Sequence, residues 1–151
     1  RLSKPLHELN AIIEDASGMA IDEFMALYGQ EGYRHLERPS LERVVQSHDT
    51  LILAVAGGSV SQPDTFDYLL EHFHTIWLKA EPEVHMARVR AQGDERPMAG
   101  NPHAMQELRK ILTDRASQYA RAAVHVDTSH TPVEDSLRCV MAEIRQRGVG
   151  V

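Results

Sequence analysis

The pattern of apolar and polar positions predicts short buried strands that alternate with amphipathic helices. The apolar run of LILAVAGGSVS, Leu51 to Ser61, leads into a glycine turn, which is typical of a buried parallel strand that ends in a loop. TIWL, Thr75 to Leu78, and Val124 to Val126 are two further predicted strands, and Leu6 to Leu9 is a short extended candidate. Strands that alternate with helices predict a parallel sheet covered on both faces, in a single α/β domain.

Helix signals fill the segments between these strands. Asn10 suits an N-cap before a helix over Ala11 to Ala16, which Gly18 ends. The apolar residues from Ile21 to Tyr28 recur at helical spacing, and we expect an interruption at Gly29 and Gly32 and a kink or restart at Pro39. Further helices are predicted from Pro63 to about His72, from Pro82, from Met105 to Arg121 and from Pro132 to Gln146.

The glycine turn is the first candidate for chemistry. In open α/β sheets, ligands bind just beyond the carboxyl ends of the strands. Because Gly57 and Gly58 are adjacent, backbone N–H groups between Ala56 and Ser59 can approach a carboxylate or a phosphate. A tight strand-to-helix turn without any ligand explains the same residues equally well.

Three arginines form a second set of candidates. Arg34 follows the aromatic Tyr33 in GYRHLE, and Arg115 shares a helix face with Tyr119 at i and i+4. Arg96 lies in a loop rich in proline and glycine, which suits a lid over a ligand. Taken singly, each is more simply explained as a solvated surface charge or, for Arg96, as part of a plain surface loop. Together, they suit an anionic ligand bound through charge-assisted contacts.

Composition excludes several classes of function. The 151 residues make one domain of ordinary size, and a net charge of −6 argues against direct binding of nucleic acid. The single Cys139 cannot form an internal disulfide, which favours a reducing cytoplasmic location. No apolar stretch approaches the roughly 20 residues of a membrane span, and the first residues lack the apolar region of a signal peptide.

The spacing of the histidines also argues against a metal site and against a serine–histidine catalytic triad. His72, His74 and His85 match no metal-ligand pattern, and no cysteine or carboxylate joins them, so we predict no metal site. Ser59 lies in the glycine turn, but no histidine can be assigned to it by spacing as the base of a triad.

Several motifs, in this order, resemble shikimate kinase over nearly the whole chain: LHELN, GMAIDEF, QEGYRHLE, AVAGGSV, RPMAG and RASQYARAA. The resemblance implies a three-layer P-loop-kinase-like α/β fold, with substrate-binding helices over about 10–47 and a lid over about 93–104. It also implies a ligand that carries a carboxylate and hydroxyls, with Arg96 on the lid. The residues implied around that ligand are Glu8, Asn10, Arg34, Gly57, Gly58 and Arg115.

The chain departs from the family pattern at three points. Asn10 replaces a carboxylate that accepts a proton in the family, and Ala56 replaces the first of three glycines. No G-x-x-x-x-G-K-[ST] occurs in the 151 residues. We therefore expect an N-terminally truncated domain without the first strand and P-loop, no catalytic residue and no cofactor. ATP and Mg²⁺ would be used only if an upstream P-loop exists.

The absent strand has a structural consequence under this resemblance. It would lie between the strands at Leu51–Ala54 and Thr75–Leu78 and leave two unpaired edges. We expect another segment to fill that place, or these two strands to pair directly or across a dimer.

Two segments, ALYGQEGYRHLE and HMARVRAQGDERPMAGN, are similar to those of a subgroup of the family. This subgroup is the shikimate-kinase-like C-terminal domain of bacterial XRE-type helix-turn-helix regulators of aromatic degradation. This resemblance implies an effector-sensing domain that binds an anionic aromatic or acyl-CoA ligand such as benzoyl-CoA, and that reaches DNA only through a missing N-terminal domain. Homodimerisation is left open. The alternatives are a true shikimate kinase given without its P-loop, and a structural dimerisation domain with an emptied pocket.

Overall fold

The computed structural model describes residues 4–93 and 100–148 of the chain. These residues fall into two compact units, one up to Phe73 and one from His74 onward. None of the helices in these two ranges is long and apolar enough to cross a membrane.

The first unit has two parallel strands and three α-helices. The register pairs Leu6 with Ile52 and Glu8 with Ala54, so both strands end at the same edge. The elements are β1 (Leu6–Glu8), α1 (Leu9–Ser17), α2 (Ile21–Ser47), β2 (Ile52–Ala54), a 3₁₀ helix (Gly57–Ser61) and α3 (Pro63–His72).

The first helix of the first unit contributes to its core. Leu9 and Ile13 are completely buried and, at i and i+4, lie on the same face of this helix. The N-cap is Glu8, and Asn10 lies in the first turn of α1. The prediction of Asn10 as the N-cap is therefore wrong. The predicted stop at Gly18 is confirmed by its left-handed conformation, with φ 71°.

The long helix α2 contains one break. Gly29 has φ 65° and ψ −171°, a conformation open essentially to glycine alone. Gly32 and Pro39 are helical, so the predicted interruption at Gly32 and the predicted restart at Pro39 are wrong. Proline costs its helix one hydrogen bond, but Ser40 and Leu41 directly after it are buried and hold the helix in register.

The second unit contains β3 (Ile76–Lys79), α4 (Pro82–Ala91), α5 (Ala104–Tyr119), β4 (Val124–Asp127) and α6 (Val133–Gln146). Its two strands are parallel, with Ile76 opposite Val124 and Lys79 opposite Asp127. Val124 and Val126 are buried, and α6 packs against their strand. The helix starts predicted near Pro82 and Pro132 are confirmed to within one residue.

The strands are less buried than their apolar sequences predict. Ile52 remains 38% exposed and Leu78 60% exposed. In the described ranges each ladder has two strands, so every strand pairs along one edge only. The direct pairing of Leu51–Ala54 with Thr75–Leu78, which the sequence left open, is not one of these two ladders.

Candidate functional site

The glycine turn that follows β2 is a short 3₁₀ helix. Ala56 is extended, with φ −69° and ψ 145°, and the backbone N–H of Ser59 donates to its carbonyl oxygen at 3.1 Å. Ser59 and Val60 turn inward and are buried. The turn therefore begins at the carboxyl end of a parallel strand, which is the edge where ligands bind in such sheets.

A buried carboxylate anchors this turn to α2. The Ser59 hydroxyl donates a short hydrogen bond to Glu37 Oε1, and Glu37 is fully buried. Among the residues that the structure describes, Glu37 Oε2 has no hydrogen-bond partner, and it lies 4.0 Å from Nη1 of Arg34. Since an unpaired buried carboxylate is costly, the arginine one helical turn away is its electrostatic partner.

Arg34 links the turn and the carboxylate. Its Nη1 donates to the carbonyl oxygen of Gly58 at 3.3 Å, and its side chain is 22% exposed. Both of these described contacts are made through Nη1. A guanidinium has five N–H donors in a fixed fork. The protein can therefore hold the Arg34 guanidinium through Nη1 while its other donors bind an anion.

Tyr33 and Asn10 form a second polar contact between α2 and α1. The Tyr33 hydroxyl donates to Asn10 Oδ1 at 2.7 Å. Burial, first, and the negative charge of Glu37, second, raise the pKa of Tyr33 to about 12, against the opposing effect of Arg34. The phenol therefore remains a neutral donor at physiological pH.

The first unit thus brings together several of the predicted ligand-binding residues. Asn10, Arg34 and Gly58 belong to the contacts just described, and Gly57 opens the same turn. Glu8 ends β1, in register with Ala54 just before the turn, and is exposed.

Of the other two predicted residues, one belongs to the second unit and one is not described. Arg115 belongs to α5 of the second unit, where it is partly buried, and Tyr119 on the same helix stacks on Trp77 with ring centroids 5.3 Å apart. Arg96 and residues 94–99 of the predicted lid lie outside the described residues. The roles of Arg115 and Arg96 stay predictions. No group of three or more histidines, cysteines and carboxylates suited to a metal occurs in the part of the chain that the structure describes.

Sequence reasoning missed the residues that support Arg34. Glu37 and Ser59 end two of the candidate segments, GYRHLE and Ala56 to Ser59, but no role was predicted for either side chain. Glu37 follows Arg34 at the i+3 spacing of a helical ion pair, and Ser59 directly follows the two glycines. Neither spacing reveals that the two side chains are buried against each other.

Similarity to known proteins identifies the family of this chain. The model of the family described as Shikimate kinase matches residues 1–146. The shikimate kinase of Symbiobacterium thermophilum is 30% identical over 98% of this chain and 86% of its own length. That of Zymomonas mobilis is 31% identical over 93% of this chain and 79% of its own length.

Solved structures show the same fold. A shikimate kinase from Acinetobacter baumannii, solved in complex with shikimate, matches with a TM-score of 0.82 and 22% identity, over 95% of this chain and 80% of that one. A shikimate kinase from Bacteroides thetaiotaomicron matches with a TM-score of 0.80 and 22% identity, over 95% and 85% of the two chains.

These matches overturn the prediction of a regulatory domain. The relatives at about 30% identity are shikimate kinases over most of their length, so the predicted effector domain, with its benzoyl-CoA ligand and its DNA partner, is wrong. The sequence favoured a domain without enzymatic activity over a kinase, and the same matches contradict that preference. The expected loss of the first strand and P-loop is not confirmed, because the family match begins at residue 1. The expected lack of a cofactor is unsupported, since the family implies ATP and Mg²⁺.

Proposed function

The chain belongs to the shikimate kinase family, and from this premise we propose that it is a phosphotransferase that moves the γ-phosphoryl group of ATP to a hydroxyl of shikimate. Within the described residues, the observation that carries the proposal is the guanidinium of Arg34, held at the glycine turn by Gly58 and Glu37. Shikimate offers a carboxylate and several hydroxyls, and the first unit offers a group of complementary charge and neutral polar groups.

Arg34 is the proposed carboxylate-binding residue. The Gly58 carbonyl and the Glu37 carboxylate restrain its side chain before any ligand arrives, which lowers the entropic cost of binding. The donors of the guanidinium other than Nη1 suit a planar carboxylate, which guanidinium binds through two parallel hydrogen bonds. Arg115 is proposed as a further cation for the ligand, and Arg96 as a residue of the lid.

Glu8, Asn10 and the turn residues Gly57 and Gly58 are the proposed contacts to the rest of the substrate. Asn10 is a neutral amide, so it orients a hydroxyl but does not remove its proton. Glu8, at the end of β1, brings a carboxylate to the same edge as the turn. The departure at Asn10 therefore bears on how the substrate is held and does not by itself exclude phosphoryl transfer.

ATP with Mg²⁺ would supply the phosphoryl group and neutralise its developing charge. The 151 residues contain no G-x-x-x-x-G-K-[ST], and the residues described above do not form a recognisable cradle for nucleotide phosphates. The proposed roles therefore concern binding of the phosphoryl acceptor.

A coupled assay of ADP release tests the proposal. The full-length protein with ATP and Mg²⁺ should release ADP on addition of shikimate, with turnover on the order of 1–100 per second, as is typical of kinases. The absence of both turnover and thermal stabilisation by shikimate would contradict the proposal.

Arg34→Lys keeps the positive charge but removes the fork, so the KM for shikimate should rise about tenfold or more. Arg43→Lys, at an arginine of the same helix outside the contacts of the turn, is the matched control and should leave KM unchanged. Equal KM values for the two variants would remove Arg34 from the substrate site.

A further inference from the structure

We propose that Tyr33 is a positioning residue, whose hydroxyl fixes the side-chain amide of Asn10 so that its NH₂ group is presented to a hydroxyl of the substrate. The inference rests on the proposed function and deepens it, because it assigns a role to a residue that neither the motifs nor the ion pairs identified.

The contact defines which end of the Asn10 amide faces Tyr33 in this structure. Tyr33 on α2 and Asn10 on α1 are 23 residues apart in sequence, and the hydroxyl donates to Oδ1 at 2.7 Å. The oxygen and nitrogen ends of an asparagine amide have nearly the same shape, and Asn10 is exposed, so packing alone does not distinguish them. The phenol hydroxyl, which can donate or accept, donates to Oδ1 in this structure, and the NH₂ group is then the end of the amide that remains for a ligand.

The surroundings of Tyr33 keep its hydroxyl protonated. Glu37 and Arg34 are the charged groups that act on it, and burial together with Glu37 outweighs Arg34, which raises the pKa of Tyr33 to about 12. The hydroxyl therefore carries its proton over the whole pH range in which an enzyme of this kind would be assayed.

One turn of α2 holds both Arg34, the proposed carboxylate-binding residue, and Tyr33, the proposed positioning residue for Asn10. Arg34 directly follows Tyr33 and is fixed to Gly58, so the backbone that places the phenol is the backbone that places the guanidinium. A ligand whose carboxylate is bound by Arg34 would then meet the Asn10 amide as a donor to one of its hydroxyl oxygens. That hydroxyl keeps its proton for an acceptor other than Asn10.

A double-mutant cycle separates a positioning role from an independent contact. Tyr33→Phe and Asn10→Ala should each lower kcat/KM for shikimate about tenfold, mainly through KM, as expected for loss of one oriented hydrogen bond. If Tyr33 acts through Asn10, the double variant should be no worse than Asn10→Ala alone. Effects that multiply to about a hundredfold would overturn the proposal.

A second readout does not depend on turnover. In the ligand-free protein, the ¹⁵N side-chain amide signal of Asn10, assigned by its loss in Asn10→Ala, should shift and exchange faster in Tyr33→Phe. Tyr28→Phe is the matched control, since Tyr28 lies on the same helix, is 55% exposed and contacts the ring of Phe24. It should change neither the signal nor the kinetics.

The two readouts distinguish failure of the inference from failure of the proposed function. If the wild-type protein turns over no shikimate, the proposed function fails and the amide signal alone decides whether Tyr33 positions Asn10. An Asn10 signal that is the same in wild type and Tyr33→Phe overturns the positioning role, whatever the activity.

Discussion

Glu37 is the residue on which the arrangement of Arg34 and the glycine turn depends. Its carboxylate accepts from Ser59 on one oxygen and faces Arg34 with the other, and it is fully buried. Removal of one partner from such a buried group leaves the other uncompensated, which costs more than the interaction itself contributes.

Glu37→Gln should therefore destabilise the protein by about 1–3 kcal/mol and raise the KM for shikimate, because Arg34 loses its counter-ion while the shape of the side chain is kept. Urea denaturation and steady-state kinetics measure the two effects. The control is Glu42→Gln, which removes the partially exposed partner of Arg38 on the same helix and should cost less than about 1 kcal/mol. Similar losses of stability in the two variants would show that the burial of Glu37 does not increase the cost of its substitution.

Tyr33 gives the protein a pH dependence in the alkaline range. Its pKa is raised to about 12 in the folded protein from the ordinary value of 10.0. Between these two values the unfolded chain has lost the phenolic proton and the folded chain retains it, so stability from this group is complete below pH 10 and falls as the pH rises toward 12.

Denaturation measured from pH 9 to 12 should show a steeper loss of stability in wild type than in Tyr33→Phe. The ultraviolet spectrum of tyrosinate should show one of the four tyrosines ionising last, and Tyr33→Phe should remove that late step. Loss of an early step in its place would contradict the raised pKa.

At the scale of elements, the break at Gly29 sets the direction of α2 just before the residues of the site. Its φ of 65° and ψ of −171° are strained for any side chain, although a Cβ at this position would meet no other atom within 4 Å, so backbone conformation alone decides the cost. Gly18, with φ 71° and ψ 16°, lies in the left-handed region that asparagine also tolerates.

Gly29→Asn should lower the free energy of unfolding by about 1–3 kcal/mol, and Gly18→Asn by clearly less. Chemical denaturation of the two variants checks this difference. Because the break precedes Tyr33 and Arg34 by only about one turn, Gly29→Asn should also raise the KM for shikimate, whereas Gly18→Asn should not. Equal stability losses would mean that the two glycines have the same conformational role.

The elements themselves were largely predictable, because local signals set most of their ends. Pro63 and Gly18 mark a helix start and a helix stop where the sequence placed them. Asn10 and Pro39 were misassigned because burial of neighbouring residues overrode their local preferences. The contact between Glu37 and Ser59 joins two elements that are distant in sequence. It produces no periodic pattern of residues in either element, so the sequence alone could not show it.

At the scale of the whole molecule, the family was predictable and the function was not. Motif order predicted the shikimate kinase family, which the match over residues 1–146 shows. The regulator hypothesis rested on the resemblance of two segments to a regulator subgroup, on the absence of a P-loop sequence and on the departures at Asn10 and Ala56. The relatives at about 30% identity contradict it, since they are shikimate kinases over most of their length.

Shikimate at a hundred times its Kd should stabilise the full-length protein by about 2.7 kcal/mol, seen as a rise in Tm. Benzoyl-CoA at the same concentration should give no comparable rise. Arg34→Lys should reduce the rise with shikimate, measured from the Tm of each free variant, and Arg43→Lys should not. Stabilisation by benzoyl-CoA alone would contradict the kinase assignment.

The contact from Arg34 to the main-chain carbonyl of Gly58 has a consequence for how this site can change over evolutionary time. Every amino acid brings the same carbonyl group, so drift in the side chain at that position need not disturb the guanidinium, provided that the backbone path is kept. Insertion or deletion of one residue between Ala56 and Ser59 would instead move the carbonyl and release the arginine. The site is thus buffered against substitution and sensitive to changes in length.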